Sequence, residues 1–184
     1  QIGLTRAQAL EELIDLLDSA ERAAGNPARQ VEILEQAVNL DPYSTEATQA
    51  LAQARADRLQ ERFAAMMSEG YMQLQAGSPQ EAIARFEAAA TLGVNENEAR
   101  AAIAQTETEI TNAKIAALQR RALDSEAREA WQEAVEDYDA IVAIDANLPT
   151  INRALDYAEK RARLDALLIA ALDTPERFAE QAVF

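Results

Sequence analysis

The stretch Gly70-Tyr71-Met72-Gln73-Leu74-Gln75-Ala76-Gly77-Ser78-Pro79-Gln80-Glu81-Ala82-Ile83-Ala84-Arg85-Phe86 decides the fold. The triplet Gly77-Ser78-Pro79 opens an amphipathic segment in which Ile83, Phe86, Ala89 and Leu92 recur every third position. Against a turn of about 3.6 residues this spacing drifts slowly and marks one apolar stripe on a helix of about 14 residues. The same pattern returns when the chain is slid against itself by 52 residues: Gly25-Asn26-Pro27, Gly77-Ser78-Pro79 and Glu129-Ala130-Trp131 align. Val31 and Val135 then match Ile83, Leu34 and Tyr138 match Phe86, Ala37 and Ile141 match Ala89, and Leu40 and Ile144 match Leu92. Asp41-Pro42, Gly93-Val94 and Asp145-Ala146 close the three short helices, with proline or glycine as breaker in the first two.

Between the short helices the spacing predicts much longer ones, beginning near the N-cap residues Ser44, Asn95 and Asn147. Thr45 to Ala76 and Glu96 to Arg128 contain no proline and only Gly70 as glycine. Each therefore reads as one helix of roughly 32 residues, about 50 Å long. Their first halves align as Ala47, Ala99 and Ile151, then Ala50, Ala102 and Ala154, then Leu51, Ile103 and Leu155. Their second halves align as Phe63, Ile115 and Leu167, then Met66, Leu118 and Ala170. The first half is expected to pack on the preceding short helix and the second half on the following one. Thr111-Asn112, two weak helix formers, is the candidate hinge. Near the end, Asp173-Thr174-Pro175-Glu176 starts a last helix over 175–184 that carries Phe178, Ala182 and Val183 and ends at Phe184 without a polar closing face, following one over 148–172.

The composition agrees with an all-α protein. Apolar residues make up 49% of the 184, but 42 positions are alanine, so helices can approach closely; glycine and proline number five each and aromatics only 5%. No run approaches the ~18 uncharged apolar residues of a membrane span. With a net charge of −15, phosphate backbones and anionic bilayers are repelled, so nucleic acid is not an expected partner. The absence of cysteine and histidine removes thiolate and imidazole chemistry and nearly every zinc or haem site. Of the remaining groups, Glu11-Glu12 and the pair Glu96 and Glu98 sit at helix starts or outer faces, where negative charge suits the helix dipole. Asp145-Ala146-Asn147 begins like a calcium loop, but Pro149 follows and the turn glycine is missing, so it reads as a helix boundary. No glycine-rich phosphate cradle occurs. The reading is a non-enzyme with no cofactor and no metal. Phe63, Phe86 and Tyr138 are candidate core aromatics, while Trp131, standing where the other copies carry Pro27 and Pro79, either caps its hairpin or presents an exposed anchor.

The quoted stretch resembles the tetratricopeptide repeat, with Gly70, Ala82, Phe86 and Ala89 at that motif's signature spacing. The resemblance implies antiparallel helical hairpins in a right-handed tetratricopeptide-like α-solenoid, with a small residue on the first helix admitting the second and an aromatic filling the gap. It covers hairpins at about 10–42, 62–94 and 114–146 within a single helical-repeat domain over 1–184. The third copy keeps Ala122, Ala134 and Tyr138, whereas the first has Asp18 and Gln30 where small residues are usual. The family advances by ~34 residues per repeat, so the 52-residue period here implies extended linking helices. By resemblance, the inner face of the hairpins' first helices carries Asp15, Ser19 and Arg22, then Met67, Tyr71 and Gln75, then Gln119, Leu123 and Glu126. The family's basic clamp for acidic C-terminal peptides is absent from the positions held by Asp15, Met67 and Gln119 and by Ser19, Tyr71 and Leu123.

These features lead to the expectation of a non-catalytic protein–protein interaction scaffold, docking a protein or peptide with basic residues along Met67, Tyr71, Gln75, Gln119, Leu123 and Glu126. The alternative is a rigid structural spacer or self-associating array, a homodimer joined near Phe178 and Phe184, within a larger bacterial protein. The opening Gln1-Ile2-Gly3 reads as an internal fragment or processed chain, and the missing cysteine leans weakly toward a periplasmic or membrane-anchored extracytoplasmic setting.

Overall fold

The computed structural model describes residues 2–173, with side chains over 6–172. Among the described residues there are seven helices and no strand: α1 (Ile2–Arg22), α2 (Pro27–Leu40), α3 (Thr45–Gln75), α4 (Pro79–Ala90), α5 (Glu96–Ala127), α6 (Trp131–Ile144) and α7 (Pro149–Asp173). The protein is all-α. The expected helix over 175–184, with Phe178, Ala182, Val183 and Phe184, lies outside the described residues. α5 runs unbroken through Thr111 and Asn112, so these two residues do not interrupt the helix.

Local chemistry sets the helix ends. Pro27 and Pro79 occupy the first turn of α2 and α4, where a missing N–H costs nothing. Asn26 accepts a hydrogen bond from the Arg29 N–H at 3.0 Å, and Ser44 accepts one from the Ala47 N–H at 3.2 Å, so α2 and α3 are capped by side chains. At the ends of α3 and α5 the same closing motif recurs. The Ser78 N–H bonds the Gln73 carbonyl and the Gly77 N–H the Leu74 carbonyl; the Ala130 and Glu129 N–H groups bond Ser125 and Glu126 in the same way. This motif requires a left-handed residue, supplied by Gly77 (φ 78°) in one copy and by Glu129 (φ 58°) in the other.

The described chain divides after Thr106, inside α5, into two compact units. In the first unit, one core joins Ala20 of α1, Val31, Ile33 and Leu34 of α2 and Leu51 and Ala54 of α3. Another core of that unit joins Phe63 and Met67 of α3, Ala82, Phe86 and Ala89 of α4 and Ala99 and Ala102 of α5. In the second unit, Ala122 of α5, Ala134, Tyr138 and Ile141 of α6 and Ile151 and Ala158 of α7 form the equivalent cluster. Every cluster therefore unites the end of one helix, the short helix that follows and the start of the next. The long helices bury opposite faces at their two ends. Ala54 and Phe63 are nine residues apart, as are Thr106 and Ile115, and at about 100° per residue nine residues bring the side chain half-way round the helix. The stretch between is solvated: 55–62 and 107–114 are exposed apart from half-buried Leu59 and Ile110.

The first hairpin departs from the 52-residue register. Leu13 and Ala20 of α1 are buried and Leu16 and Leu17 half-buried, a set that matches Phe63, Gly70, Met66 and Met67 at an offset of 50. Ala20, rather than Asp18, is thus the small residue of this hairpin. The connection between Ala20 and Leu34 is two residues shorter than that between Gly70 and Phe86, because α1 ends sooner after its small residue.

Candidate functional site

The end of α3 carries the residues singled out in the first unit. Gly70 is buried with Phe86 directly against it: a Cβ there would run into Phe86 Cε1, Cδ1 and Cζ, so only glycine lets the ring sit this close to the α3 backbone. Phe86 in turn supports Tyr71, whose ring stands edge-on to it with centroids 5.1 Å apart and planes at 61°. Tyr71 is 46% exposed, so its outer edge faces solvent while its inner edge is fixed by a core aromatic. Met72 beside it and Gln75 one turn on are also exposed. Met67 is different: at 4% exposure it is part of the core with Phe63 and Phe86. Met67 shares the buried face with Phe63 and Gly70, while Tyr71, about 40° further round the helix, stands at its margin.

In the second unit Gln119 is exposed and Leu123 is 50% exposed. Glu126 is half-buried and accepts a hydrogen bond from the Tyr138 hydroxyl at 3.1 Å. Burial first, then the hydrogen bond and negative charge of Glu126, push the Tyr138 phenol up to about 12. Glu126 therefore has a task inside its own hairpin. One side of that hairpin is strongly polar. Arg121 Nη2 bonds Asp137 Oδ1 at 2.8 Å, and Asp137 is buried. Next to it, Arg128 Nη2 donates to Glu133 Oε2 at 3.1 Å and to Ser125 Oγ at 3.3 Å. Two ion pairs, Arg121 with Asp137 and Arg128 with Glu133, thus tie the end of α5 to α6.

Trp131 is buried at the start of α6, as hairpin packing rather than as an exposed anchor. Tyr157 of α7 meets its ring edge-on with centroids 5.8 Å apart, and the Arg161 guanidinium lies over it at 4.8 Å. Tyr157 and Arg161 are a turn apart on one stripe of α7, with exposed Leu164 and Leu168 continuing it. Sequence reasoning singled out Trp131 but not Tyr157 or Arg161. The available signal was their i, i+4, i+7 spacing with Leu164, which only the seating of α6 on α7 connects to Trp131.

Among the described residues no group of three His, Cys, Asp or Glu side chains is placed to hold a metal ion, and no helix is long and apolar enough to cross a membrane. What the two exposed aromatic and leucine positions offer is shape and apolar area, chemistry suited to contact rather than to bond making. No protein-family model, curated protein or solved structure matches the chain.

Proposed function

We propose that the chain is a non-catalytic protein–protein interaction scaffold built from hairpins of the tetratricopeptide type, taking a partner segment with basic residues. The observation that carries this reading is Tyr71, half exposed yet held edge-on by Phe86. A tyrosine fixed in this way loses little conformational entropy on binding, and such rigid aromatic side chains dominate many interfaces. The burial of Ala82, Phe86 and Ala89 in one core, with Gly70 directly against Phe86, supports the repeat type. Leu123 gives the second unit an exposed apolar position of its own. A net charge of −15 favours a basic partner through steering, which salt screens over a Debye length of about 8–10 Å. Tyr71→Ser should abolish capture of that partner while lowering stability by no more than about 1 kcal/mol. Capture that is unaffected by Tyr71→Ser and insensitive to salt would overturn the reading.

A rigid spacer is the second reading, favoured by the solvated mid-sections of α3 and α5, which extend the chain without adding core. Retained function in the organism after Tyr71→Ser and Leu123→Ser together, with loss on shortening α3 by whole turns, would move the conclusion to the spacer.

A further inference from the structure

The seat of α6 on α7, inside the second unit, holds a cation without an anion. The Arg161 guanidinium lies over the buried ring of Trp131, and Tyr157 stands edge-on to the same ring. A ring face attracts positive charge but supplies no lone pair to an N–H group. Arg161 Nε is buried with no hydrogen-bond partner, which leaves the two Nη groups as the accessible end of the fork. The neighbouring cations are placed differently: Arg121 meets Asp137, Arg128 meets Glu133, and Lys160, next to Arg161 on α7, meets Asp156 at 2.7 Å. Among the described residues no carboxylate reaches Arg161, in a chain with 32 acidic side chains against 17 basic ones. A guanidinium partly withdrawn from water and left unpaired is stabilised by any carboxylate that reaches it. Residues 153–163 hold four basic side chains and two acidic ones, so this part of α7 carries a local excess of positive charge while the chain as a whole is at −15.

We propose that Arg161 receives the carboxylate of an aspartate or glutamate in a partner protein segment, with apolar residues of that segment seated on Tyr157 and Leu164. The planar guanidinium matches a carboxylate with two parallel N–H donors, a pairing that a lysine ammonium cannot reproduce. Stacking on Trp131 fixes the plane of that fork in advance, so little side-chain freedom is lost on binding. Tyr157 and Leu164 lie about one turn before and after Arg161 on the same stripe of α7, and they are 52% and 47% exposed. An acidic side chain between apolar ones is therefore the chemistry this face fits. The site stands apart from the one at Tyr71, with the opposite charge preference, and does not rest on it.

Trp131 is the chain's only tryptophan, so its fluorescence reads this site directly. A phage library of random linear peptides is first depleted on the full-length Arg161→Gln variant and then selected on the unaltered full-length chain. The selected peptides should share an aspartate or glutamate flanked by apolar residues and should shift the Trp131 emission. In a synthetic copy of one of them, replacing the acidic residue by its amide should weaken binding to the unaltered chain by roughly tenfold or more. Arg161→Gln should weaken the original peptide by a similar factor, and the two losses should not add. The amide peptide carries the test even where Arg161→Gln disturbs the seat of Trp131. Selection of peptides with no acidic residue in common, or unchanged affinity for the amide peptide, overturns the proposal. Self-association of the chain that Arg161→Gln abolishes would assign the carboxylate to a second copy and overturn it equally.

Discussion

The hairpin closed by α4 and the one closed by α6 have the same backbone plan and opposite chemistry. Where the former sets Gly70 against Phe86, the latter uses Ala122 and Tyr138. The added hydroxyl needs a partner, and the position of half-buried Leu74 is correspondingly taken by Glu126, which accepts its hydrogen bond. The ion pair across each hairpin is reversed: Glu69 with Arg85 at 3.4 Å in one, Arg121 with Asp137 at 2.8 Å in the other. The left-handed residue is Gly77 in one and Glu129 in the other. These exchanges come in compensating pairs, which teaches that the repeat preserves complementarity at each contact rather than residue identity.

The largest break in this comparison should come from Phe86→Ala. Removing the ring leaves Gly70, Met67 and Tyr71 around a cavity and should cost about 3–5 kcal/mol in chemical denaturation; a cost below about 1 kcal/mol would remove Phe86 from the centre of the hairpin. Next, Glu126→Leu alone takes the partner from the Tyr138 hydroxyl and should cost about 1–3 kcal/mol. Adding Tyr138→Phe converts the contact to that of the α4 hairpin and should recover most of the loss, so equal stabilities for the single and double variants would refute the pairing.

The raised phenol gives a pH test of the same contact. Folded Tyr138 titrates at about 12 against about 10 when unfolded, so the folded state holds its proton longer. Its contribution is complete below pH ~10 and is lost as pH rises toward ~12, on the order of 3 kcal/mol in all. Tyr138→Phe should flatten that part of the stability profile, and an unchanged decline would assign it to other groups. The two ion pairs should also differ. Arg85→Ala removes an exposed pair worth about 0.2–1 kcal/mol, whereas Arg121→Ala leaves the buried Asp137 carboxylate without its partner and should cost about 1–3 kcal/mol. Equal costs would mean that water replaces the guanidinium fully. The smallest effect is a gain: Glu129→Gly relieves the left-handed strain that Gly77 avoids and should stabilise by about 1 kcal/mol or less. A loss on that substitution would show that the Glu129 side chain makes a contact of greater weight than its backbone strain.

Helix positions, the stripes on α2, α4 and α6 and the pairing of each long-helix half with one short helix follow from the sequence by itself, because periodicity, caps and breakers act within a few residues of where they stand. Burial of Phe63, Phe86 and Tyr138 follows in the same way from repeat-matched stripes. Tertiary structure decided the rest. It made Ala20 rather than Asp18 the small residue of the first hairpin, since α1 ends sooner after that residue than α3 does after Gly70, which shifts α1 along α2 without changing its helical pattern. It placed Met67 inside and Tyr71 at the edge, a distinction set by the close approach of Phe86 to Gly70. Among the described residues Leu167 is exposed where Phe63 is buried, although the two match in sequence, because those residues include a short helix after α3 and none after α7. Local sequence fixes which way a side chain points along its own helix, but exposure depends on whether another surface arrives there, and that is a property of the assembled neighbours.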